Sequence, residues 1–196
     1  MADRGPRLAG LVLAAGAATR FGGPKQLAQV GGVSLIERAA ALALGCCDAG
    51  VVVVTGAHAG AVEAAVCHLP VVLARNDAWP DGLAGSLRRG LDALPRTADA
   101  CLVMLCDQPE IAAADLSRLV AAWRGAPGQM AAAYYGGAPG VPAVFPRSAW
   151  PQLAQLHGDR GARGVLACAA LLTTAAMPAA ALDIDTRADL GRPRPE

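Results

Sequence analysis

Apolar and polar residues follow one another along the chain in blocks that predict strands and helices in alternation. Gly50–Thr55 contains four consecutive valines, which is typical of a strand buried on both faces. Leu83, Leu87 and Leu91 recur at a spacing of four, which predicts a helix with one apolar face. The strands predicted in this way are Leu8–Ala14, Gly50–Thr55, Val71–Ala74, Ala100–Cys106, Gln129–Tyr135, Val141–Phe145 and Ala181–Ile184. The predicted helices are Val33–Leu44, Ala59–Cys67, Leu83–Leu94, Ala113–Trp123, Arg147–Leu156 and Ala162–Leu171.

This alternation predicts an α/β fold with three layers, in which helices cover both faces of a doubly wound, mostly parallel, Rossmann-like sheet. A chain of 196 residues is long enough for one such domain, and we expect residues 1–196 to form it. Ligands of open α/β sheets bind at the carboxyl ends of the strands. The segment 15–25 and Asp107 both follow predicted strands, and they are therefore candidates for a site.

Composition narrows the class of protein. The chain is 54% hydrophobic and 17% charged, which is typical of a globular domain. The net charge is +1, without a run of Lys or Arg, so we expect no nucleic-acid partner. Gly, Pro or charged residues interrupt the longest apolar stretches, so we expect no membrane span.

The cysteines and the N-terminus bear on the compartment. The six cysteines form no C-x-x-C pair and lie in apolar stretches, so we expect reduced, buried thiols in a cytoplasmic protein. Arg4 and Arg7 precede an apolar run that ends in Ala15-Gly16-Ala17, an arrangement that can mark a signal peptide. We interpret this run instead as the first strand, because cleavage would remove the strand that leads into the candidate site.

The turn after the first strand has the composition of a phosphate site. Ala14, Ala15 and Gly16 are small, so backbone N–H groups can approach a ligand closely, and Arg20 and Lys25 supply positive charge. The turn is not a P-loop, because Pro24 precedes Lys25 and no hydroxyl residue follows it. It also lacks the glycine spacing of a dinucleotide-binding fingerprint. An ordinary strand-to-helix loop with solvated cations is the alternative.

The turn is part of a longer pattern, Leu13-Ala14-Ala15-Gly16-x-x-x-Arg20-x-Gly22-x-x-Lys25. This pattern resembles the signature of the MobA-like nucleotidyltransferases, and within that family it is most similar to the molybdenum cofactor cytidylyltransferases. Ala18 and Phe21 stand where the family often has Ser and Met. Further blocks follow in the order found in the family: Asn76-Asp77-x-Trp79-x-x-Gly82-Leu83-x-x-Ser86-Leu87, Asp107-Gln108-Pro109, Gly140-x-Pro142-x-x-Phe145, Gly158–Arg163 and Asp183–Thr186.

The resemblance implies a nucleotide-binding half, about residues 8–110, and an acceptor-binding half, about residues 111–190. It implies catalytic roles for Arg20, Lys25 and Asp107. The nucleotide-binding residues that it implies are Leu13, Ala14, Ala15, Gly16, Arg20, Lys25, Gly82 and Ser86. The acceptor-binding residues that it implies are Gly140, Pro142, Asp159, Arg160, Gly161 and Arg163.

The resemblance also implies a Mg²⁺ site. Asp107 would be one ligand, and either Asp183 or Asp185 the second, with the resemblance favouring Asp185. Mg²⁺ commonly takes one or two carboxylates and completes its shell with phosphates and water. A helix-capping role is the alternative for each of these carboxylates.

The reaction implied by the resemblance is transfer of CMP from CTP to the terminal phosphate of the molybdenum cofactor. Ala15 favours CTP, because the guanylyl-transferring relatives usually carry Gly at this position. Transfer of GMP from GTP, nucleotidyl transfer to a sugar phosphate, and a carrier of the molybdenum cofactor that performs no catalysis are the alternatives. We expect a monomer whose further partner is a molybdoenzyme client.

Overall fold

A seven-stranded sheet runs through the centre of the protein in the computed structural model, which describes residues 5–191. Arg4, which contributed to the signal-peptide alternative, lies outside the described residues. The strands are β1 (Leu8–Leu13), β2 (Gln29–Val30), β3 (Val33–Ser34), β4 (Val51–Thr55), β5 (Val72–Arg75), β6 (Ala100–Leu105), β7 (Met130–Tyr135), β8 (Ala138–Pro146) and β9 (Leu172–Ala176). The helices are α1 (Leu35–Leu44), α2 (Ala59–Val66), α3 (Leu83–Ala93), α4 (Ala113–Arg124), α5 (Trp150–Ala154) and α6 (Arg163–Ala167).

The strand order of the large sheet is β5-β4-β1-β6-β8-β7-β9, and β2 and β3 pair separately as a small hairpin. Strand β1 pairs in parallel with β4 on one side and with β6 on the other. The chain leaves β1 toward β4 and β5 and then crosses back to β6. The order therefore reverses between β1 and β6, which is where ligands bind in doubly wound sheets.

Two apolar layers hold the helices against the sheet. On one face α1, α2 and α4 pack side chains such as Ile36, Val62 and Leu119 against the strands. On the other face α3, α5 and α6 contribute Leu87 and Leu153 among others. The three-layer, mostly parallel α/β fold expected from the sequence is confirmed, with β8 antiparallel to both of its neighbours.

The start of α1 differs from the sequence prediction by two residues. Val33 and Ser34 pair with β2 in the hairpin, and the helix begins at Leu35. The Ser34 hydroxyl accepts a hydrogen bond from the Glu37 backbone N–H at 3.3 Å, which caps the helix. A side chain that can satisfy an N-terminal N–H thus sets the boundary, and the apolar spacing alone did not reveal it.

The C-terminal part departs further from the prediction. A strand over 181–184 was wrong: residues Pro178–Ala181 form a 3₁₀ turn, and 182–185 are irregular. The last strand is β9 instead, in parallel with β7. The helices predicted near 147–156 and 162–171 are shorter, since α5 and α6 have only five residues each. Short, weakly periodic segments of this kind depend on the elements that they pack against, which are α3 for α5 and β8 for α6.

The prediction that the cysteines are buried was wrong for two of the six. Cys67 and Cys168 are exposed, and Cys46 is half-buried, whereas Cys47, Cys101 and Cys106 are buried. In the described part of the chain, no helix is both long and apolar enough to cross a membrane.

Candidate active site

An open cleft of about 480 Å³ lies where the loops after β1 and β6 meet. Its floor is the turn that follows β1, and Asp107 follows β6 at its side. All eight predicted nucleotide-binding residues line it: Leu13, Ala14, Ala15, Gly16, Arg20, Lys25, Gly82 and Ser86. Asp185 and Asp159 reach it from the C-terminal half.

The turn after β1 points its carbonyl groups into the protein. The carbonyl oxygens of Ala14 and Gly16 accept hydrogen bonds from the Gln26 side chain, and that of Ala15 accepts one from the Ala57 N–H at 3.0 Å. Among residues 5–191, no protein acceptor bonds to the backbone N–H groups of 15–18. Consecutive free N–H groups form a concave site that favours anions.

The turn closes through a left-handed residue. Ala18 has φ 51° and ψ 46°, and it is the only non-glycine residue with positive φ in the described part of the chain. A non-glycine residue in this conformation stores about 1–3 kcal/mol of strain, a feature found mainly at functional sites. The His58 imidazole lies 3.3 Å from the Ala17 carbonyl oxygen and contacts the same turn.

Lys25 connects the two carboxylates of the site. Its Nζ donates to Asp107 Oδ2 at 2.7 Å, to the Ile184 carbonyl at 3.0 Å and to Asp185 Oδ1 at 3.2 Å. These three contacts use all three protons of the ammonium group. Burial by itself would lower the pKa of Lys25, but the charges and hydrogen bonds of Asp107 and Asp185 outweigh it and raise the pKa. Lys25 therefore carries a charge at neutral pH.

Arg20 completes the charged network at the rim of the cleft. Its guanidinium lies 3.0 Å from Asp185 Oδ2, and its side chain is 76% exposed. The Asp185 backbone N–H donates to Asp189 Oδ2, which also accepts from the Thr186 backbone N–H. The irregular segment after Leu182 is thereby fixed with the Asp185 side chain facing the cleft. Because the predicted strand over 181–184 does not form, Asp183 and Asp185 both lie in this irregular segment.

Of the Asp107 and Asp185 carboxylates, only Asp107 leaves an oxygen without a partner for a small divalent cation, since both oxygens of Asp185 pair with Lys25 and Arg20. Asp107 Oδ1 is buried and has no hydrogen-bond partner, although Oδ2 of the same group contacts Lys25. A buried, unpartnered carboxylate oxygen costs free energy unless a cation or a water satisfies it. Within residues 5–191 no group of three or more His, Cys, Asp or Glu could hold a metal ion. Two carboxylates are nevertheless sufficient for Mg²⁺ when substrate phosphates and water complete its shell.

Asp183 lies beside this pair without a direct bond to it. Burial raises the pKa of Asp183 to about 6, and the negative charges of Asp107 and Asp185 act in the same direction. Lys25 and Arg163 oppose this effect. Of these carboxylates, Asp107 and Asp185 line the cleft, where they lie beside the cations Lys25 and Arg20.

Gly82 and Ser86 form the wall nearest α3. Gly82 has φ 104°, and a Cβ there would lie 2.4 Å from the carbonyl group of Gly158. Only glycine at position 82 therefore leaves room for the backbone of Gly158. The Ala84 N–H donates to the Gly158 carbonyl oxygen at 3.0 Å. Ser86 is buried, and its hydroxyl accepts from the Asn76 side-chain amide at 3.0 Å. This wall thus joins the loop 157–162 to the start of α3.

The predicted acceptor residues divide into separate groups. Asp159 lines the main cleft, whereas Arg160, Gly161 and Arg163 line a shallow depression that also includes Leu156 and Val165. Gly140 and Pro142 are buried in β8. The structure therefore does not bring all six together around one pocket.

Tyr135 connects the group in β8, which includes Gly140, to the group that includes Arg163. Its hydroxyl donates to the Val141 carbonyl oxygen at 3.0 Å and accepts from Arg163 at 3.1 Å. A Cβ on Gly140 would lie 2.5 Å from that hydroxyl, so glycine leaves room for the ring. Gly140 therefore acts through Tyr135 on the position of Arg163.

Comparison with known proteins identifies the family. The model of the MobA-like NTP transferase domain matches residues 10–176. The chain belongs to this family. The chain is thus a member of a nucleotidyltransferase family, as the sequence motifs predicted.

The chain is also similar to three individual proteins, whose names differ. A protein of Paenarthrobacter nicotinovorans named nicotine blue oxidoreductase is 37% identical over 169 residues, which cover 81% of this chain and 80% of that protein. The crystal structure of Rv0371c from Mycobacterium tuberculosis is 28% identical with a TM-score of 0.78, covering 95% of this chain and 96% of that one. A nucleotidyl transferase from Methanothermobacter is 25% identical with a TM-score of 0.78, covering 94% of each chain. Rv0371c has also been crystallised in complex with manganese.

Sequence reasoning missed two residues of this MobA-like site. Gln26 is the non-hydroxyl residue after Lys25 and was given no role in the site, yet it is 2% exposed and binds the turn after β1. Its position directly after Lys25 of the phosphate motif was the available signal. Tyr135 was placed in a strand without a role, and the sequence carries no sign that it contacts Arg163.

Proposed function

We propose that the protein transfers CMP from CTP to the terminal phosphate of the molybdenum cofactor in a Mg²⁺-dependent reaction that releases pyrophosphate. The observation that carries the proposal is the convergence of three elements in one cleft. These are the free N–H groups of 15–18, the cations Arg20 and Lys25, and the carboxylate of Asp107. Such a set suits a triphosphate, because N–H donors and cations bind its negatively charged oxygens, and a carboxylate can hold the metal ion that the phosphates also bind.

In this proposal the residues act by positioning and by neutralising charge. The N–H groups of the turn bind the phosphate oxygens, and Arg20 balances the charge of the departing pyrophosphate. Lys25 holds Asp107 and Asp185 in place and adds positive charge beside them. Asp107 and Asp185 would hold Mg²⁺, which when bound would stabilise negative charge on the α-phosphate and the leaving group.

The proposed nucleophile needs no general base. A terminal phosphate monoester is anionic near neutral pH, because its second pKa is about 6. The protein then has only to align the attacking oxygen with the α-phosphate and to hold both substrates. This requirement agrees with a cleft whose chemistry is donors, cations and carboxylates.

The choice of CTP rests on the wall around Ala15. Ala15 is buried, and its Cβ would lie 2.8 Å from a Cβ on Gly56, so its methyl group packs against that residue. Because Ala15 also lines the cleft, a methyl group at the third position of the motif would leave less room for a purine than glycine would, which favours the smaller pyrimidine. Gly82 and Ser86 are the proposed contacts of the base and the ribose.

The proposed acceptor enters from the C-terminal half. Among the proposed acceptor residues, Asp159 lines the cleft, and Arg163, which binds the Tyr135 hydroxyl, acts electrostatically on Asp183. Arg160 and Gly161 would contact the far end of the acceptor, and Gly140 and Pro142 support the site from β8. We further propose that the enzyme acts as a monomer and passes its product to a molybdoenzyme.

Pyrophosphate release tests the proposal. Purified protein is incubated with Mg²⁺ and the molybdenum-loaded cofactor, and CTP, GTP and ATP are compared. We expect release with CTP that requires the cofactor. Release with GTP instead would assign guanylyl transfer, and release that requires a sugar phosphate would change the acceptor.

The same preparation separates the remaining alternatives. Tight binding of the cofactor without release from any nucleotide would indicate a carrier. The relative named as an oxidoreductase motivates one more control, in which oxidation of NADH or NADPH is followed with a quinone-type dye. Dye reduction without pyrophosphate release would contradict nucleotidyl transfer.

A further inference from the structure

Gln26 lies beneath the turn after β1 and binds it at two points. Its Nε2 donates to the Ala14 carbonyl oxygen at 3.0 Å and to the Gly16 carbonyl oxygen at 2.7 Å. The side chain is 2% exposed, so these bonds form away from water. Both protons of the amide group are used, and each holds a carbonyl on a different side of Ala15.

The orientation of these carbonyls decides what the turn presents to the cleft. In a trans peptide the C=O of one residue and the N–H of the next point in opposite directions. Gln26 holds the carbonyls of Ala14 and Gly16 toward the protein, and the Ala57 N–H holds that of Ala15. The N–H groups of residues 15, 16 and 17 therefore turn the other way, toward the cleft.

We infer that Gln26 is a positioning residue that orients the backbone N–H groups of 15–17 for a triphosphate. The inference rests on the proposed function in that the ligand is a nucleoside triphosphate. It concerns the phosphate chain alone and not the base or the acceptor. Gln26 touches neither substrate and acts through the backbone.

The amide is suited to this task in a way that similar side chains are not. A side-chain carboxylate of the same size would bring an oxygen against two carbonyl oxygens, where it repels both. A thioether of similar length offers no donor at all. Gln26 Oε1 is buried without a partner, so the side chain is placed for its two donors and not for its acceptor.

Binding of inorganic tripolyphosphate tests the inference, because this probe contains the phosphate chain and nothing else. Its dissociation constant is measured by calorimetry with Mg²⁺ for the wild type, Gln26→Met and Gln26→Glu. We expect both variants to weaken binding by about tenfold or more. Gln29→Met is the matched control, because Gln29 is exposed three residues further along, and we expect wild-type affinity there.

Two further measurements separate positioning from folding. The thermal midpoint of Gln26→Met should fall, because the Ala14 and Gly16 carbonyl oxygens lose their donor, so binding is measured at a temperature at which the wild type and the variant are both fully folded. In ¹H–¹⁵N spectra of the wild type, tripolyphosphate should shift the amide signals of Gly16 and its neighbours, and the variant should lose these shifts.

The outcomes distinguish this inference from the proposed function. A wild type that binds tripolyphosphate, together with variants that bind equally well, overturns the role of Gln26 and leaves nucleotide binding intact. A wild type that binds neither tripolyphosphate nor CTP overturns both. Weaker binding that follows a matching loss of the folded fraction also overturns the positioning role.

Discussion

Lys25 and Asp107 form an ion pair of 2.7 Å in which the two side chains are only 16% and 15% exposed. The pair joins the loop after the phosphate turn to the end of β6, on either side of the point where the strand order reverses. The same ammonium group binds the Ile184 carbonyl and Asp185, so three distant segments meet at one charge. Loss of Lys25 should therefore affect both stability and turnover.

A double-mutant cycle measures this coupling. Lys25→Met leaves the Asp107 carboxylate buried without its cation, so we expect the free energy of unfolding to fall by about 3 kcal/mol. Asp107→Asn should be destabilising as well. The double variant should lose less than the sum of the two, with a coupling energy of about 1–3 kcal/mol in urea titrations. Strictly additive losses would show that the pair contributes nothing to folding.

Turnover gives a second test of Lys25. We expect Lys25→Ala to lower kcat by about 10²-fold or more, because positive charge beside the transferring phosphate is lost. The assay is run at a temperature where circular dichroism shows that the variant is folded. Near-normal turnover under that condition would remove Lys25 from the mechanism.

Asp107→Asn should weaken metal binding. Mn²⁺ serves as the probe, and its free concentration is followed by electron paramagnetic resonance with CTP present. The affinity should fall by more than the roughly 10- to 100-fold that removal of an outer-shell partner costs. Asp77→Asn is the control, because that carboxylate is 85% exposed and pairs only with Arg75 in the described part of the chain. An unchanged Mn²⁺ titration for Asp107→Asn would refute its role as a ligand.

Gly82→Ala should disturb the loop 157–162 where it contacts the start of α3. The new methyl group would meet the Gly158 carbonyl, and the residue has φ 104°, so we expect a loss of about 2–4 kcal/mol in stability. Gly60→Ala is the matched control in α2, where a Cβ meets no atom within 4 Å. That variant should gain about 0.4–1 kcal/mol. Equal thermal midpoints for the two variants would contradict the close approach of Gly158.

The cysteines should react in two classes. Cys67 and Cys168 are exposed and should be alkylated rapidly in the native protein. Burial raises the pKa of Cys101 and of Cys106 to about 12, so both thiols stay neutral at pH 9. Raising the pH from 7 to 9 should therefore accelerate labelling of the exposed pair and leave Cys101 and Cys106 unlabelled until the protein unfolds. Mass-spectrometric mapping checks each position, and early labelling of Cys106 would contradict its burial under the cleft.

The parallel half of the fold was predictable because its strands are buried on both faces. A run of valines such as Val51–Val54 is stable only where both faces of the strand are covered, so it predicts a buried strand. Leu87 and Leu91 repeat at a helical spacing and predict a helix. The C-terminal half offers weaker signals. The strand β9 has a mixed pattern of half-buried and exposed residues, which does not predict a strand by itself. It forms because β7 offers an edge to pair with, and this depends on the tertiary fold.

The candidate site likewise contains residues that the sequence predicted and contacts that it did not. Arg20, Lys25 and Asp107 were predicted because the motif places them after the strands that converge at one edge of the sheet. The amide bonds of Gln26 were not predictable, since they depend on how the chain returns beneath the turn. The contact between Tyr135 and Arg163 joins residues 28 positions apart and likewise depends on tertiary packing.

Transfer of the α-phosphate tests the central claim most directly. CTP labelled with ³²P at the α position is incubated with the protein, Mg²⁺ and the molybdenum-loaded cofactor, and the products are separated by chromatography. We predict that the label moves to the cofactor and that a parallel reaction with γ-labelled CTP releases all of its label as pyrophosphate. Label that stays in CTP, or leaves it as free CMP without joining the cofactor, would contradict the account.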